Sequence, residues 1–289
     1  MWFFLALASA FFYSFRRFSE KNLANKAEHF TLGFVVQAFS LPLITLLLWF
    51  TNIPTLTSLS IRFWLPLLII WIFLYPAQAY FYYKSLKEGE ITYVLPLMSL
   101  IPIFNILSSW ILIHEVPSFI GFLGIITIVA GVYSLNIKPN MNIFSPFTYL
   151  FKHKPALFMI INCLCLATGS TLDKIAIQAS NPLFYSFINT LGASLILLFI
   201  AKIMNPKFNL DVKDNFKSFT ILGFLQAAAF TGYIVALSTG IVSYVAAIKS
   251  ANIILGSIWG FLLLKETFNK YKLTALILIS LGLIFIAFA

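Results

Sequence analysis

Long apolar stretches, broken by short polar punctuation, dominate the chain. Four of them hold no Lys, Arg, Asp or Glu: Phe63–Tyr83, Ile91–Ile113, Val116–Ile137 and Ser218–Ile248. A run of about 18 or more apolar residues is long enough to cross a bilayer, and core helices of soluble proteins are shorter. Read against charges and Pro/Gly breaks, the pattern predicts ten helical spans. They fall at 2–17, 30–50, 63–83, 91–113, 117–136, 156–178, 182–202, 217–237, 242–264 and 271–289. Ten spans of about 20 residues leave connections of about eight, too short for an extramembrane domain.

Composition agrees. Of 289 residues 61% are hydrophobic and 10% charged, whereas a soluble domain carries roughly 25% charged residues. A soluble enzyme is excluded, and so is a nucleic-acid binder. The net charge of +10 lies between apolar spans, not on one solvated face. Cys163 and Cys165 stand two apart in one span and point to different sides, so they cannot pair. His29, His114 and His153 fall at span ends or in connections, with no ligand partners at metal spacing. No metal and no cofactor is expected. Ala6-Leu7-Ala8 resembles a signal cleavage site, but Arg16 and Arg17 follow the apolar run instead of preceding it, so the segment reads as a first span.

The basic residues locate the membrane sides. Sixteen Lys and Arg fall after spans 1, 3, 5, 7 and 9, Arg16 and Arg17 among them. Arg62 and Lys174 are on the other side, and Lys249 lies inside span 9. This bias predicts a multi-pass protein of the cytoplasmic (inner) membrane with both termini outside the cytoplasm.

The chain also repeats itself. Sliding residues 80–136 forward by 151 positions matches twelve of fifty-seven without a gap, including Tyr82/Tyr233, Gly89/Gly240, Tyr93/Tyr244, Ser99/Ser250, Glu115/Glu266 and Gly131/Gly282. The expected fold class is therefore an all-α membrane protein, ten transmembrane helices in two five-helix repeats. The first repeat covers 1–136, a connecting segment 137–155, and the second repeat 156–289. An odd number of spans per repeat inverts the second copy, an architecture that secondary transporters use with their site at the repeat interface.

The segment GEITYVLPLMSLIPIFNILSSWILIHEVPSFIGFLGIITIVAGVY (89–133) and its copy GIVSYVAAIKSANIILGSIWGFLLLKETFNKYKLTALILISLGLI (240–284) resemble the repeat end of the EamA family, in the drug/metabolite transporter superfamily. The Gly before spans 4 and 9, the apolar run ending in Glu115 and Glu266, and the closing Gly131 and Gly282 carry the likeness. The resemblance implies a transporter of small organic solutes with a central cavity lined mainly by spans 1, 3, 4, 6, 8 and 9. Members of the family usually have cytoplasmic termini, and the charge count departs from that pattern.

Candidate chemistry is sparse. Lys249 is seven residues into span 9, about 10 Å from its start at 1.5 Å per residue. It shares a face with Asn252 and Gly256. A lysine at that depth should avoid lipid, so it meets either a partner or the substrate. Asp173, five residues from the end of span 6, is the natural partner. Lys174, nearer that end, is expected to snorkel to the interface. Lys249 corresponds to apolar Met98 in the first repeat, so the charged determinant is one-sided. Gln78, Asn105 and Gln226 are mid-span polar groups that line the cavity or bond across helices. Tyr82 and Tyr233 read as either substrate contacts or interface anchors, whereas Tyr93 and Tyr244, at helix starts, read as anchors.

Other features read as structural. Gly89 and Gly240 are expected to make turns with positive φ. Glu115 and Glu266 are expected to pack and to cap the helices that follow them, spans 5 and 10. Pro96 and Pro102 should bend span 4, and their counterparts Ala247 and Ile253 should leave span 9 straighter. Ser243, Ala246, Ala247, Ser250, Ile254, Ser257 and Gly260 form a mostly small packing stripe.

These features predict a secondary transporter, not an enzyme, moving an amino-acid-like zwitterion or small anion by alternating access. The alternatives are a broad-specificity exporter of drugs or toxic compounds, and a lipid-handling or structural scaffold. The expected partners are a small-molecule substrate and the lipid bilayer, not nucleic acid, with the chain a monomer or homodimer.

Overall fold

The computed structural model describes residues 1–23, 29–55, 57, 59–89, 91–136, 144, 153–205, 208–252, 255 and 270–289. Every regular element among them is helical: α1 (Trp2–Leu23), α2 (His29–Ala38), α3 (Leu41–Leu47), α4 (Ile61–Ile69), α5 (Tyr75–Glu88), α6 (Ile91–Val94), α7 (Ile101–Ile113), α8 (Phe119–Asn136), α9 (Lys154–Gln178), α10 (Pro182–Met204), α11 (Phe208–Asp214), α12 (Phe216–Thr239), α13 (Val242–Ser250) and α14 (Lys270–Ala287). Among the described residues six helical runs are long and apolar enough to cross a membrane, and Trp2–Arg16, Phe119–Ser134 and Leu273–Ala287 are shorter apolar helices. The expected span 9 is described only through Asn252 and at Leu255.

Proline shapes several spans. Span 3 is α4, a π-helical turn at Ile70–Leu74 and α5, with Pro66 inside α4. A proline leaves a carbonyl without its usual donor, and wider turns absorb such faults. Span 4 is α6, a 3₁₀ stretch at Leu95–Leu100 and α7, the two prolines standing near the start of each later piece. The bend expected of Pro96 and Pro102 thus takes the form of a tightened 3₁₀ stretch. Span 9 was expected to run straighter, but its α-helix is interrupted by a turn at Ala251.

The helices form two compact units, one of Met1–Leu67 with Ile175–Thr239 and one of Leu68–Lys174 with Gly240–Ala289. Each unit takes helices from both halves of the chain. In the first, α1 packs along α12, and α2 packs against α10 and α12. Asn205 Nδ2 donates to Thr31 Oγ1 at 2.8 Å, and Asn181 Nδ2 donates to the Asn52 carbonyl at 2.9 Å. These bonds tie opposite ends of spans 2 and 7, so those repeat-equivalent spans run antiparallel. Asn181 also starts α10, its Oδ1 accepting from Phe184 N at 2.8 Å, an N-cap followed by Pro at the first position.

In the second unit α8 lies against α14. A Cβ on Gly131 would stand 2.6 Å from Ile279 Cγ1, and one on Gly124 would stand 2.8 Å from Ile286 Cγ1. Residue 131 therefore meets 279 while 124 meets 286: spans 5 and 10, also equivalent in the repeat, are antiparallel too. A Cβ on Gly282 would lie 2.7 Å from the Gly124 carbonyl oxygen. Since backbone cannot retreat as a side chain can, the paired Gly131 and Gly282 permit close helix approach. An inverted repeat requires this opposed direction of equivalent helices.

Three expectations about individual elements change here. The first helix continues to Leu23, six residues past its expected end, because nothing between Arg17 and Leu23 breaks a helix. Gly89 is extended, with φ −108° and ψ 156°, and no described glycine has positive φ. What Gly89 supplies is room: a Cβ would stand 2.7 Å from both Pro155 Cβ and the Ser85 carbonyl oxygen. Gly240 likewise does not need positive φ.

Candidate functional site

In the second unit a polar knot closes one end of α9. Span 4 stops at His114, which adopts the left-handed conformation at φ 55°, and Glu115 N then bonds back to the Ser109 carbonyl at 3.2 Å, a Schellman-type closure. This aims the Glu115 side chain across to α13, where Oε2 accepts from Val242 N at 3.2 Å. Glu115 therefore caps span 9, not the span that follows it. Its Oε1 is ion-paired with Lys174, whose Nζ also donates to the Gly240 carbonyl at 2.8 Å. Lys174 is 4% exposed, so it is locked inside and does not snorkel.

Tyr244 joins the same connection. Its hydroxyl accepts from Ser118 N at 2.8 Å and donates to Ser118 Oγ at 3.2 Å, and its ring lies where a Cβ on Gly121 would have to go. At 3% exposure it is buried between helices and is not an interface anchor.

Around this knot stand most of the expected solute contacts. The α9 face bearing Ala167, Thr171 and Lys174 meets α7: Ser108 Oγ lies 2.8 Å from Thr171 Oγ1 and 3.2 Å from the Ala167 carbonyl. Asp173, half-buried, is one turn on from Gly169 along α9. A Cβ on Gly169 would approach Gln78 Nε2 to 3.7 Å, so Asp173 stands on the flank of α9 that turns toward span 3. Lys249, half-buried, is on α13, which packs on α7. Lys249 and Asp173 thus belong to two helices flanking the same third one.

Asn252 Nδ2 donates to the Lys249 carbonyl, and its buried Oδ1 accepts no hydrogen bond. Asn105 is similar: Nδ2 donates to the Ile101 carbonyl at 3.0 Å, while Oδ1 is buried and unpartnered. Tyr82, half-buried, packs against the cluster of Val94, Leu97, Ala156, Met159 and Cys163. Pro96 and Pro102 are buried. Glu266 and Gly256 lie outside the described residues. Among the described residues no group of His, Cys, Asp and Glu could hold a metal ion.

The first unit holds Tyr233 and Gln226, each 3% exposed, on α12. Gln226 Oε1 accepts from Arg16 Nη1 at 2.6 Å, and the guanidinium lies 5.1 Å from the centre of the Tyr13 ring, within cation–π range. The charge count places Arg16 with the connection that follows span 1. The structure instead gives it a partner ten residues inside α12, and this basic residue is what sequence reasoning missed. A signal was present: Ser9, Tyr13 and Arg16 are spaced i, i+4, i+7, one polar stripe on an apolar helix.

The EamA-like transporter family model matches residues 1–137 and 153–288, once for each half of the chain. The chain belongs to the EamA-like transporter family. This EamA-like protein is a multi-pass, all-α membrane transporter of the drug/metabolite transporter superfamily. A crystal structure of a protein 14% identical to it superposes with a TM-score of 0.75, covering 99% of this chain and 97% of that one. Such a likeness bears on the fold alone. No curated protein matches the chain.

Proposed function

We propose that this EamA-like protein is a secondary transporter moving a small organic metabolite, an amino-acid-like zwitterion or small anion, across the cytoplasmic membrane by alternating access. The observation that carries this reading is the placement of Lys249 and Asp173 on two helices that flank α7. The unpartnered oxygens of Asn105 and Asn252 in the same unit support it, because a buried acceptor without a donor costs free energy unless a ligand or water supplies one. Lys249 recognises the anionic group of the solute. The repeats span 1–136 and 156–289, joined by 137–155, and the excess of basic residues after odd-numbered spans favours termini outside the cytoplasm. The partners are the solute and the lipid bilayer, and the chain works as a monomer or homodimer without nucleic acid.

A thermal-shift screen of metabolites against the wild type and Lys249→Met tests the site. Stabilising solutes are expected to lose their effect in the variant, and a ligand that stabilises both equally overturns the role of Lys249. Coupling is tested by uptake into proteoliposomes under a pH gradient. Asp173→Asn is expected to abolish gradient-driven uptake if the carboxylate carries the proton. Unchanged uptake rules out coupling through it.

A further inference from the structure

Spans 4 and 9 each carry an amide oxygen that their own helices leave over. Among the described residues Asn105 Oδ1 and Asn252 Oδ1 are buried and accept no hydrogen bond, and the two side chains use their donors alike. Asn105 Nδ2 donates to the carbonyl of Ile101, the first residue of α7, at 3.0 Å. Asn252 Nδ2 donates to the Lys249 carbonyl, near the end of α13. Each bond fixes an amide plane beside a helix break and turns the oxygen away from that carbonyl. The breaks are equivalent in the repeat. The 3₁₀ stretch of span 4 ends at Leu100, and a shift of 151 positions carries Leu100 onto Ala251, where α13 gives way to a turn. Paired interruptions at corresponding positions of two inverted halves point to the solute site of a carrier.

The two oxygens also share a depth, and both belong to the second compact unit. Glu115 Oε2 accepts from Val242 N at 3.2 Å, which sets the end of span 4 beside the start of span 9. The two spans therefore cross the bilayer in opposite directions. Asn105 is ten residues before Glu115, and Asn252 is ten residues after Val242. At 1.5 Å per residue each lies about 15 Å from that end, the middle of a hydrocarbon core about 30 Å thick. α7 packs on α13, and Asn105 is on the protected side of α7, away from the exposed Leu107 and Ile111. An amide oxygen only accepts hydrogen bonds and carries partial negative charge, so it calls for a donor and disfavours an anion. A divalent metal ion takes six or more oxygens. An ammonium has three N–H donors and can give one to each of two oxygens.

We propose that Asn105 Oδ1 and Asn252 Oδ1 form one subsite that accepts N–H bonds from the ammonium group of the transported solute. The assignment rests on the reading of the chain as a carrier in which Lys249 meets the anionic group. It narrows that reading to a primary-amine zwitterion, since a simple anion leaves both oxygens stranded.

The test measures binding to the full chain in phosphatidylcholine nanodiscs, in tetramethylammonium chloride and again in sodium chloride. The probes are leucine and phenylalanine, their N-trimethyl betaines, and the deaminated acids 4-methylpentanoate and 3-phenylpropanoate. The betaine keeps the positive charge and loses every N–H donor. An amino acid is expected to bind the wild type at least about tenfold more tightly than its betaine or deaminated acid, the worth of one charge-assisted hydrogen bond. Asn105→Leu and Asn252→Leu each shrink this preference and together abolish it, whereas Asn105→Asp, which keeps an acceptor oxygen, retains it. Ligand-free melting of the leucine variants is expected at or above the wild-type temperature, because no partner is stranded. Lowered melting with the preference intact marks a structural pair and overturns the proposal. So does a wild type without the preference, or one that shows it only in sodium chloride, where a metal ion has taken the oxygens. Failure of the carrier reading looks different. There, Lys249→Met leaves the affinity for all three kinds of probe unchanged, while the preference still follows the two asparagines.

Discussion

Lys174 and Arg16 are both basic side chains on long apolar helices, yet the first is fully buried and the second half-buried. The Lys174 ammonium faces the Glu115 carboxylate and the Gly240 carbonyl, with 5% of its side chain exposed. Its charge is matched by an opposite one, and the group ties α9 to the connection after α7 and to the turn before α13. The Arg16 guanidinium is held by an amide oxygen and an aromatic face and keeps part of its surface accessible. Breaking a buried pair strands a charge, whereas replacing the half-buried arginine removes its bond to the Gln226 amide and its contact with the Tyr13 ring. The two cations therefore differ in the damage their loss does, and stability measurements separate them.

The largest effect is expected at the closed pair. Glu115→Gln keeps an oxygen for Val242 N but leaves the Lys174 charge without its counter-ion. It should destabilise the protein by about 3 kcal/mol, the low end for a broken buried pair, because 24% of the Glu115 side chain is exposed. The double variant Glu115→Gln with Lys174→Met removes both charges and should recover more than half of that loss. Reversible unfolding in mixed micelles measures both. Arg16→Gln in the same assay should cost less, about 1 kcal/mol, on the scale of its hydrogen bond to Gln226. Equal losses at Glu115 and Arg16 would erase the distinction between the buried pair and the half-buried arginine.

The distinction was only half legible in the sequence. Apolar run length located the spans, since the bilayer imposes its thickness on every one of them. The repeat located Gly131 and Gly282, whose small size serves one packed pair of equivalent helices. The polar contacts were harder to read. Glu115 and Lys174 are 59 positions apart, and neither helical period nor charge count links them. Arg16 was lost to a rule that assigns charges near an apolar boundary to the connection. That rule has no knowledge of a helix continuing to Leu23 or of a side chain leaning inward. Gly89 was read by its commonest use, positive φ, where the crowding of Pro155 and Ser85 sets the requirement. In each case at least one deciding neighbour is distant in sequence: Lys174 for Glu115, Gln226 for Arg16 and Pro155 for Gly89.

The smallest prediction asks whether the lock is one cooperative device. Tyr244 and Glu115 both join the connection after α7 to the start of α13, through Ser118 and Val242 respectively. Tyr244→Phe keeps the ring against Gly121 and removes the hydroxyl alone. It leaves Ser118 N without its acceptor, at a cost of about 1 kcal/mol. If the two contacts hold one geometry, losing the first loosens the frame that the second needs. Tyr244→Phe combined with Glu115→Gln should then cost less than the two separate losses together, by about 0.5 kcal/mol or more. Strict additivity in the same unfolding assay would mean that two independent staples hold this corner, and Lys174 would then keep its carboxylate and Gly240 partners whether or not the Tyr244 hydroxyl is present.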